Sequence, residues 1–174
     1  MSVDESTNEE LMIQVAEGNL DVLRILFNRH HVHIFNFLYK MSGDKMLSED
    51  LTQDVFYKVI KYRTSYKKGK FVSWLFTIAR NSLNTHFTRN KEIENDLDTV
   101  KHRLGEEDNH EDYSHLHKAL QQLETSDREL VVLNRFQGIR YEELAEIMNS
   151  TPGAVKTKMS RAIKKLKTIY LQTI

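Results

Sequence analysis

Aromatic and cationic side chains alternate over one short stretch of the chain, a combination suited to binding single-stranded nucleic acid. Tyr66 and Trp74 flank the lysine-rich segment Lys67–Lys70. Aromatic rings stack on unpaired bases for about 1–3 kcal/mol each, while cations follow the phosphate backbone. The stretch therefore predicts a surface for unpaired bases. A packing role for Trp74 is the alternative, because Phe71, Trp74 and Leu75 fall at helical spacing.

Polar side chains that can read base edges follow on the same predicted helix. Arginine and asparagine form paired hydrogen bonds with the edges of bases. The candidates are Arg80, Asn81, Asn84, His86 and Arg89. Together with the aromatic and cationic stretch, they predict one continuous surface for nucleic acid.

A second group of cations, near the C-terminus, falls on a predicted helix-turn-helix. Thr151–Pro152 has the residue types of an N-cap and a first helical position, and the helix behind it is predicted to run to about Leu166. Ala145 and Val155, on either side of a turn at Asn149, have the spacing that lets two helices cross closely. The cations of this helix are Lys156, Lys158, Arg161, Lys164 and Lys165.

These cations avoid the apolar stripe predicted for the same helix, which consists of Val155, Met159, Ile163 and Leu166. A helix with one packed face and one cationic face is what insertion into a major groove requires. The alternative is a basic helix that only solvates one side of a helical hairpin.

Carboxylates predominate on the outer face of another predicted helix, which Ser48 is expected to cap. Within Glu49–Phe56, Asp50 and Asp54 form a like-charge pair at i, i+4, which costs a few tenths of a kcal/mol in an isolated helix. A cationic partner would explain why this cost is tolerated. A solvated acidic face, with Asp50 beside the helix N-terminus, is the alternative.

The sequence offers no constellation for catalysis, a metal or a cofactor. The chain has no cysteine, which excludes disulfides and thiolate metal sites. His30 and His33 share a helical face but lack a glutamate at metal-ligand spacing, so we expect surface histidines and no metal. No glycine-rich phosphate loop accompanies the carboxylates of the acidic helix, so a catalytic pair is not expected there.

Charge is distributed unevenly in a chain with 25 acidic and 25 basic residues and no net charge. Residues 56–91 hold nine bases and residues 151–174 hold six, both without an acid. Residues 92–112 hold nine acids and two bases. Two acid-free basic blocks in a neutral chain indicate two surfaces for a polyanion.

The pattern predicts an all-α protein of two small helical domains joined by an acidic linker. The predicted domains are 1–91 and 113–174, the second a helix-turn-helix, with the linker at 92–112. Predicted helix ends include capping boxes at Thr7–Glu10 and Ser126–Glu129 and a C-cap at Gly138. No apolar run approaches a membrane span and the acidic N-terminus is unlike a secretory signal, so we expect a cytoplasmic protein.

Taken together, three segments of the chain resemble bacterial RNA polymerase sigma factors of the extracytoplasmic-function (ECF) type. The segment resembling the core-polymerase-binding helix is SEDLTQDVFYKVIKYRTSY. The segment resembling the −10 promoter reader is FVSWLFTIARNSLNTHFTRNK. The segment resembling the −35 domain is LETSDRELVVLNRFQGIRYEELAEIMNSTPGAVKTKMSRAIKKLK. Thr85 and the interrupted pair Arg89 and Lys91 depart from the family pattern and leave the −10 sequence preference open.

The resemblance implies three sets of contacts and no catalytic activity. Docking on the clamp helices of the largest polymerase subunit would use Glu49, Asp50, Gln53, Asp54 and Phe56. Contacts with the −10 element, including a flipped-out base, would use Tyr66, Lys67, Lys68, Lys70, Trp74, Arg80, Asn81, Asn84 and Arg89. Contacts with −35 DNA would use Thr151, Lys156, Thr157, Lys158, Ser160, Arg161, Lys164 and Lys165.

The partners that follow are core RNA polymerase and promoter DNA, with an anti-sigma factor as a further partner that the resemblance allows. The alternative is a free-standing helix-turn-helix regulator with an N-terminal sensing domain. That alternative explains the C-terminal domain equally well. It does not explain the acidic helix, the aromatic and basic stretch and the polar helix in that order.

Overall fold

The computed structural model describes residues 2–96 and 111–174, and every regular element in these ranges is helical. The α-helices are α1 (Asn8–Ala16), α2 (Leu23–Ser42), α3 (Lys45–Lys61), α4 (Phe71–Asp96), α5 (Glu111–Gln122), α6 (Thr125–Val131), α7 (Tyr141–Ile147) and α8 (Pro152–Thr173). The predicted all-α class is confirmed. No helix among the described residues is long and apolar enough to cross a membrane.

The chain forms two compact units, one of Met1–Phe35 with Met46–His102 and one of Asn36–Lys45 with Arg103–Ile174. The first unit differs from the predicted domain 1–91 at two places. The end of α2 groups with the second unit, and α4 continues to Asp96 because residues 92–96 contain no helix breaker. The rest of the predicted acidic linker, residues 97–110, lies outside the described residues.

The first helix, α1, begins with the predicted capping box. The Thr7 hydroxyl accepts a hydrogen bond from the Glu10 amide at 3.2 Å, and the Glu10 carboxylate accepts one from the Thr7 amide at 2.8 Å. The predicted cap of α3 at Ser48 is wrong. Gly43, with a φ of +68°, lets the chain reverse at once, so α3 begins at Lys45 and Ser48 is buried inside it.

Side chains from α1 to α4 fill the core of the first unit. The largest buried ones include Leu11, Met12, Leu26, Ile34, Phe71, Leu75 and Leu83. The three residues that fall at helical spacing at the start of α4 are partly buried, since Phe71 and Leu75 lie in the core while Trp74 is half-buried. This burial fixes the orientation of α4 and of the segment that leads into it.

His30 is also part of this core, so its expected surface position is wrong. The residue is 9% exposed, its ring lies 5.3 Å from the Phe71 ring, and its Nε2 is buried without a hydrogen-bond partner among the described residues. Burial, with the charges of His33 and Arg29, lowers the pKa of His30 from 6.5 to about 4, although Glu9 acts in the opposite direction. The imidazole is therefore neutral at pH 7.

This pKa predicts that the first unit loses stability in mild acid. Below pH 6.5 the unfolded chain takes up a proton on His30 that the folded chain resists until about pH 4, so stability falls as the pH falls through this window. Between pH 7 and pH 5 the wild type should lose about 2 kcal/mol of unfolding free energy more than His30→Gln does. Urea unfolding at both pH values, followed by Trp74 fluorescence, measures this difference.

The exposed His33 supplies a matched control for this prediction, because His33→Gln removes a histidine from the same helix. That variant should keep most of the wild-type pH dependence. Equal pH dependence in His30→Gln and the wild type would contradict the assignment.

In the second unit, the predicted capping box at Ser126 and Glu129 is wrong. α6 begins at Thr125, one residue before Ser126, and Glu129 is buried. Between α5 and α6, the guanidinium of Arg128 donates hydrogen bonds to the carbonyls of Leu120, Gln121 and Leu123, at 2.7–3.0 Å. These bonds satisfy terminal carbonyls of α5 and allow α6 to follow it directly.

The predicted helix-turn-helix is confirmed in its local geometry. Ala145 and Val155 are buried, Asn149 has a φ of +51°, and the Thr151 hydroxyl accepts a hydrogen bond from the Ala154 amide at 3.2 Å. Gly138, with a φ of +68°, ends the preceding π-helical turn, Val132–Phe136, as expected.

α8 differs from the prediction in its length and in its buried stripe. It runs to Thr173 rather than to about Leu166, because no glycine or proline interrupts residues 167–173. The buried residues are Val155, Met159 and Ala162, whereas Ile163 and Leu166 are only half-buried.

Candidate polymerase and nucleic-acid interfaces

One face of α3 carries exposed carboxylates together with large apolar side chains. Glu49, Asp50 and Gln53 are exposed, as predicted from the sequence. Met46 and Tyr57, at 68% and 61% exposed, occupy the same face, since positions 46, 53 and 57 are seven and four residues apart. Sequence reasoning missed these two residues. Their spacing relative to the carboxylates was the signal that could have identified them.

We call Met46, Glu49, Asp50, Gln53 and Tyr57 the acidic face of α3. Two residues predicted for docking lie away from its centre. Asp54 is half-buried and pairs with Lys58 at 2.9 Å, and Lys58 also donates to the Ser82 hydroxyl of α4 at 2.8 Å. Phe56 is buried, with its ring 4.9 Å from that of Phe27. Phe56 therefore supports the helix from the core side.

The segment Tyr66–Lys70, which we call the 66–70 loop, joins a short turn to α4. Lys67, Lys68 and Lys70 are exposed at its tip. Tyr66, predicted to stack on a base, is instead buried, and its hydroxyl donates a hydrogen bond to the Gly69 carbonyl. The Trp74 ring lies 5.3 Å from the Tyr66 ring and is half-buried, so part of it is open to solvent.

The polar residues predicted on α4 follow directly after this aromatic pair. Asn81, two turns beyond Trp74, lies on the same face of the helix and is exposed. Asn84 and Arg89 are also exposed, whereas Arg80 is half-buried. The structure thus brings the lysines, Trp74 and the asparagines onto one helix and the loop that precedes it.

All eight residues predicted to contact −35 DNA are exposed, seven of them on α8 and Thr151 at its N-cap. The Lys156 ammonium lies 5.6 Å from the centre of the Tyr141 ring, a cation–π distance. Lys165 differs from the rest because it bonds to the buried Asp127 carboxylate at 2.9 Å, which raises the pKa of Lys165 above its ordinary value. The structure therefore presents one cationic face on α8. Lys165 lies at the edge of this face, where its charge is paired with that of Asp127.

Known protein families match segments in both units of the chain. Sigma-70 region 2 matches residues 26–93, and sigma-70 region 4 matches residues 114–166. RNA polymerase sigma factor CarQ of Myxococcus xanthus is 32% identical over 162 residues, covering 90% of this chain and 93% of CarQ. The chain belongs to the sigma-70 family.

Two further similar proteins support the assignment of the chain to the sigma-70 family. ECF RNA polymerase sigma factor SigX of Bacillus subtilis is 28% identical over 160 residues, covering 84% of this chain and 82% of SigX. The sigma factor RpoE of Bartonella quintana, solved with the anti-sigma factor NepR, has a TM-score of 0.72 at 25% identity and covers 84% of this chain and 94% of its own. The chain is thus an ECF sigma factor, a promoter-specificity subunit of RNA polymerase, and the free-standing regulator is not favoured.

Metal chemistry gains no support from the geometry of this sigma factor. Within residues 2–96 and 111–174, no three His, Cys, Asp or Glu side chains are grouped so as to hold a metal ion. The carboxylates of the acidic face lie exposed along a helix, and Asp54 is already paired with a lysine. The arrangement is suited to binding a cationic surface.

The ion pair of Lys165 predicts unequal roles for the cations of α8. Lys165→Ala should weaken binding of the sigma factor to a promoter duplex less than Lys158→Ala does, because Asp127 already holds the Lys165 ammonium. Asp127→Asn should free that ammonium for a phosphate and steepen the dependence of log Kd on log salt by about 1. Titrations of duplex DNA at several salt concentrations measure both effects. Equal losses for Lys165→Ala and Lys158→Ala would contradict the prediction.

Proposed function

We propose that this sigma factor makes three contacts during transcription initiation. The acidic face of α3 docks on the clamp helices of the largest subunit of RNA polymerase. The 66–70 loop and the exposed face of α4 bind the −10 element and capture an unpaired base. The cationic face of α8 enters the major groove of the −35 element. In this proposal the domains are 1–91 and 113–174, with the linker at 92–112, the first residues of which continue α4 to Asp96.

The observation that carries the proposal is the division of α8 into a buried and a cationic face. Val155, Met159 and Ala162 are buried, while the cations predicted from the sequence are all exposed on the same helix. The helix N-terminus, capped by Thr151, adds partial positive charge at the end where a phosphate would bind. A helix built in this way can pack against its own domain and bind DNA at the same time.

The experiment that tests the proposal begins with size-exclusion chromatography of the purified chain with core RNA polymerase. Transcription from a library of promoters follows, with core enzyme alone as the control. Co-elution with new, selective transcripts is expected and would also identify the promoter. Failure to co-elute, with tight and specific duplex binding by the chain alone, would support a free-standing regulator instead.

The same proposal includes the activity, the location and a further partner of the chain. We expect no catalytic activity of its own, since its contacts serve to place and melt DNA for the polymerase. A cytoplasmic location follows from these partners. An anti-sigma factor is a further expected partner, because the similar RpoE is bound by one in its solved complex.

A further inference from the structure

Glu9 of α1 joins two parts of the first unit that are far apart in the sequence. Its Oε1 accepts a hydrogen bond from the backbone amide of Phe71 at 3.1 Å, across 62 residues. Glu9 is half-buried, and it precedes residues 26–93, the part of the unit that matches sigma-70 region 2. The match therefore includes Phe71 but not Glu9, the residue that accepts the hydrogen bond.

The Phe71 amide is one of the first in α4 and has no partner within the helix. A carboxylate at this position accepts the amide hydrogen and also interacts favourably with the helix dipole. Because Phe71 directly follows Lys70 and its ring is fully buried, the bond fixes the C-terminal end of the 66–70 loop. Glu9 thus acts as a cap for α4 that is supplied by another helix.

The other end of the loop is held by Tyr66. Its ring is buried against Trp74, and its hydroxyl donates to the Gly69 carbonyl. Burial, and then the nearby Glu9 carboxylate, raise the pKa of Tyr66, so the phenol keeps the proton that it donates. Between the two ends, Lys68 has a φ of +29°, a conformation that a lysine rarely adopts and that its surroundings must maintain.

α1 itself is anchored, so Glu9 has a fixed position from which to act. Arg29 of α2 donates to the Asp4 and Ser6 carbonyls and to the Asn8 side chain at 2.8–3.1 Å. These bonds hold the N-terminal segment, and with it the first turn of α1, against α2. The carboxylate of Glu9 is therefore presented to α4 by a braced helix.

We infer that Glu9 is a positioning residue that sets the shape of the 66–70 loop for capture of an unpaired −10 base. The inference rests on the proposed function of that loop. Glu9 does not need to touch DNA, since it acts through the Phe71 amide. Its removal should alter the loop and slow promoter melting, while docking on polymerase and −35 binding stay intact.

The test compares Glu9→Ala and Glu9→Gln with a matched control, Glu17→Ala, which removes an exposed carboxylate from the end of the same helix. In the free protein, acrylamide quenching of Trp74, the only tryptophan, reports the environment of the loop. In the holoenzyme, permanganate reactivity of −10 thymines measures melting at the promoter selected from the library. Affinity for core polymerase and for the −35 duplex is measured in parallel.

Glu9→Ala should increase quenching of Trp74 and slow melting about tenfold, with core and −35 affinities within about twofold of the wild type. Glu9→Gln keeps an oxygen acceptor without the charge, so melting should slow only about threefold. Glu17→Ala should match the wild type in every assay.

Two results would overturn the inference. One is wild-type quenching and melting in Glu9→Ala. The other is a melting defect matched by an equal loss of core affinity in both Glu9 variants, which would indicate a general loss of folding. If the wild type itself melts no promoter, the proposed function fails, and unchanged Trp74 quenching in Glu9→Ala would still separately refute the role of Glu9 in the loop.

Discussion

Binding to core RNA polymerase should weaken about 100-fold or more when Glu49→Lys and Asp50→Lys are combined. Both carboxylates are exposed on the acidic face of α3, so reversal would replace attraction to a cationic partner by repulsion. The fold should survive, because surface substitutions of this kind usually change stability by less than about 0.5 kcal/mol. Titration of labelled sigma factor with core polymerase measures the affinity, and circular dichroism measures the thermal stability.

The control for this variant is the pair Glu17→Lys and Asp21→Lys. Both residues are exposed in the same unit, and the pair makes the same change in net charge away from α3. It should retain most of the core affinity, which separates a local docking effect from a change in overall charge. Asp54 is left unchanged because its pairing with Lys58 supports the helix from within. Equal affinity losses in the two double variants would remove α3 from the docking surface.

Replacing Lys158 or Arg161 by alanine should lower the affinity for −35 duplex DNA about 10- to 100-fold for each substitution. Both side chains are exposed on α8, one turn apart. Both also line a surface pocket in the second unit that Ser126 and Gly153 help to form. If each binds a phosphate, each substitution should also reduce the slope of log Kd against log salt by about 1. If Arg161 reads a base, Arg161→Ala should additionally relax the preference for the −35 sequence.

Titrations with the −35 duplex and with a scrambled duplex, at several salt concentrations, distinguish these contributions. The control is Lys167→Ala, an exposed lysine on the same helix but outside the predicted DNA-binding set. It should change affinity far less than either substitution. An unaltered −35 preference and affinity in Lys158→Ala and Arg161→Ala would refute the role assigned to α8.

The sequence predicted best those features whose interacting groups lie within a few residues of one another. The capping box at Thr7, the N-cap at Thr151 and the left-handed turn at Asn149 each depend on contacts within one helical turn. The exposure of the α8 cations was likewise predictable, since it follows from the periodicity of a single helix. The fold class and the resemblance to sigma factors depended on such local patterns in the correct order.

The candidate sites were predicted less completely, because residue type alone does not show whether an aromatic side chain is buried or whether a charged side chain is already paired. Tyr66 and Phe56 are aromatic residues in functional segments, yet both are buried in the first unit. Lys165 has the same charge as its neighbours on α8, but the buried Asp127 holds it. Each outcome depends on a residue from another helix.

By itself, then, the sequence determined the all-α class, the caps at Thr7 and Thr151, the two basic surfaces and the family. Only the tertiary structure decided that α3 starts before Ser48, that His30 is buried and neutral, and that Glu9 caps α4 from 62 residues away. The physical reason is the range of the interactions. Propensity, periodicity and capping act within one or two turns, whereas burial and cross-helix hydrogen bonds depend on which helices meet.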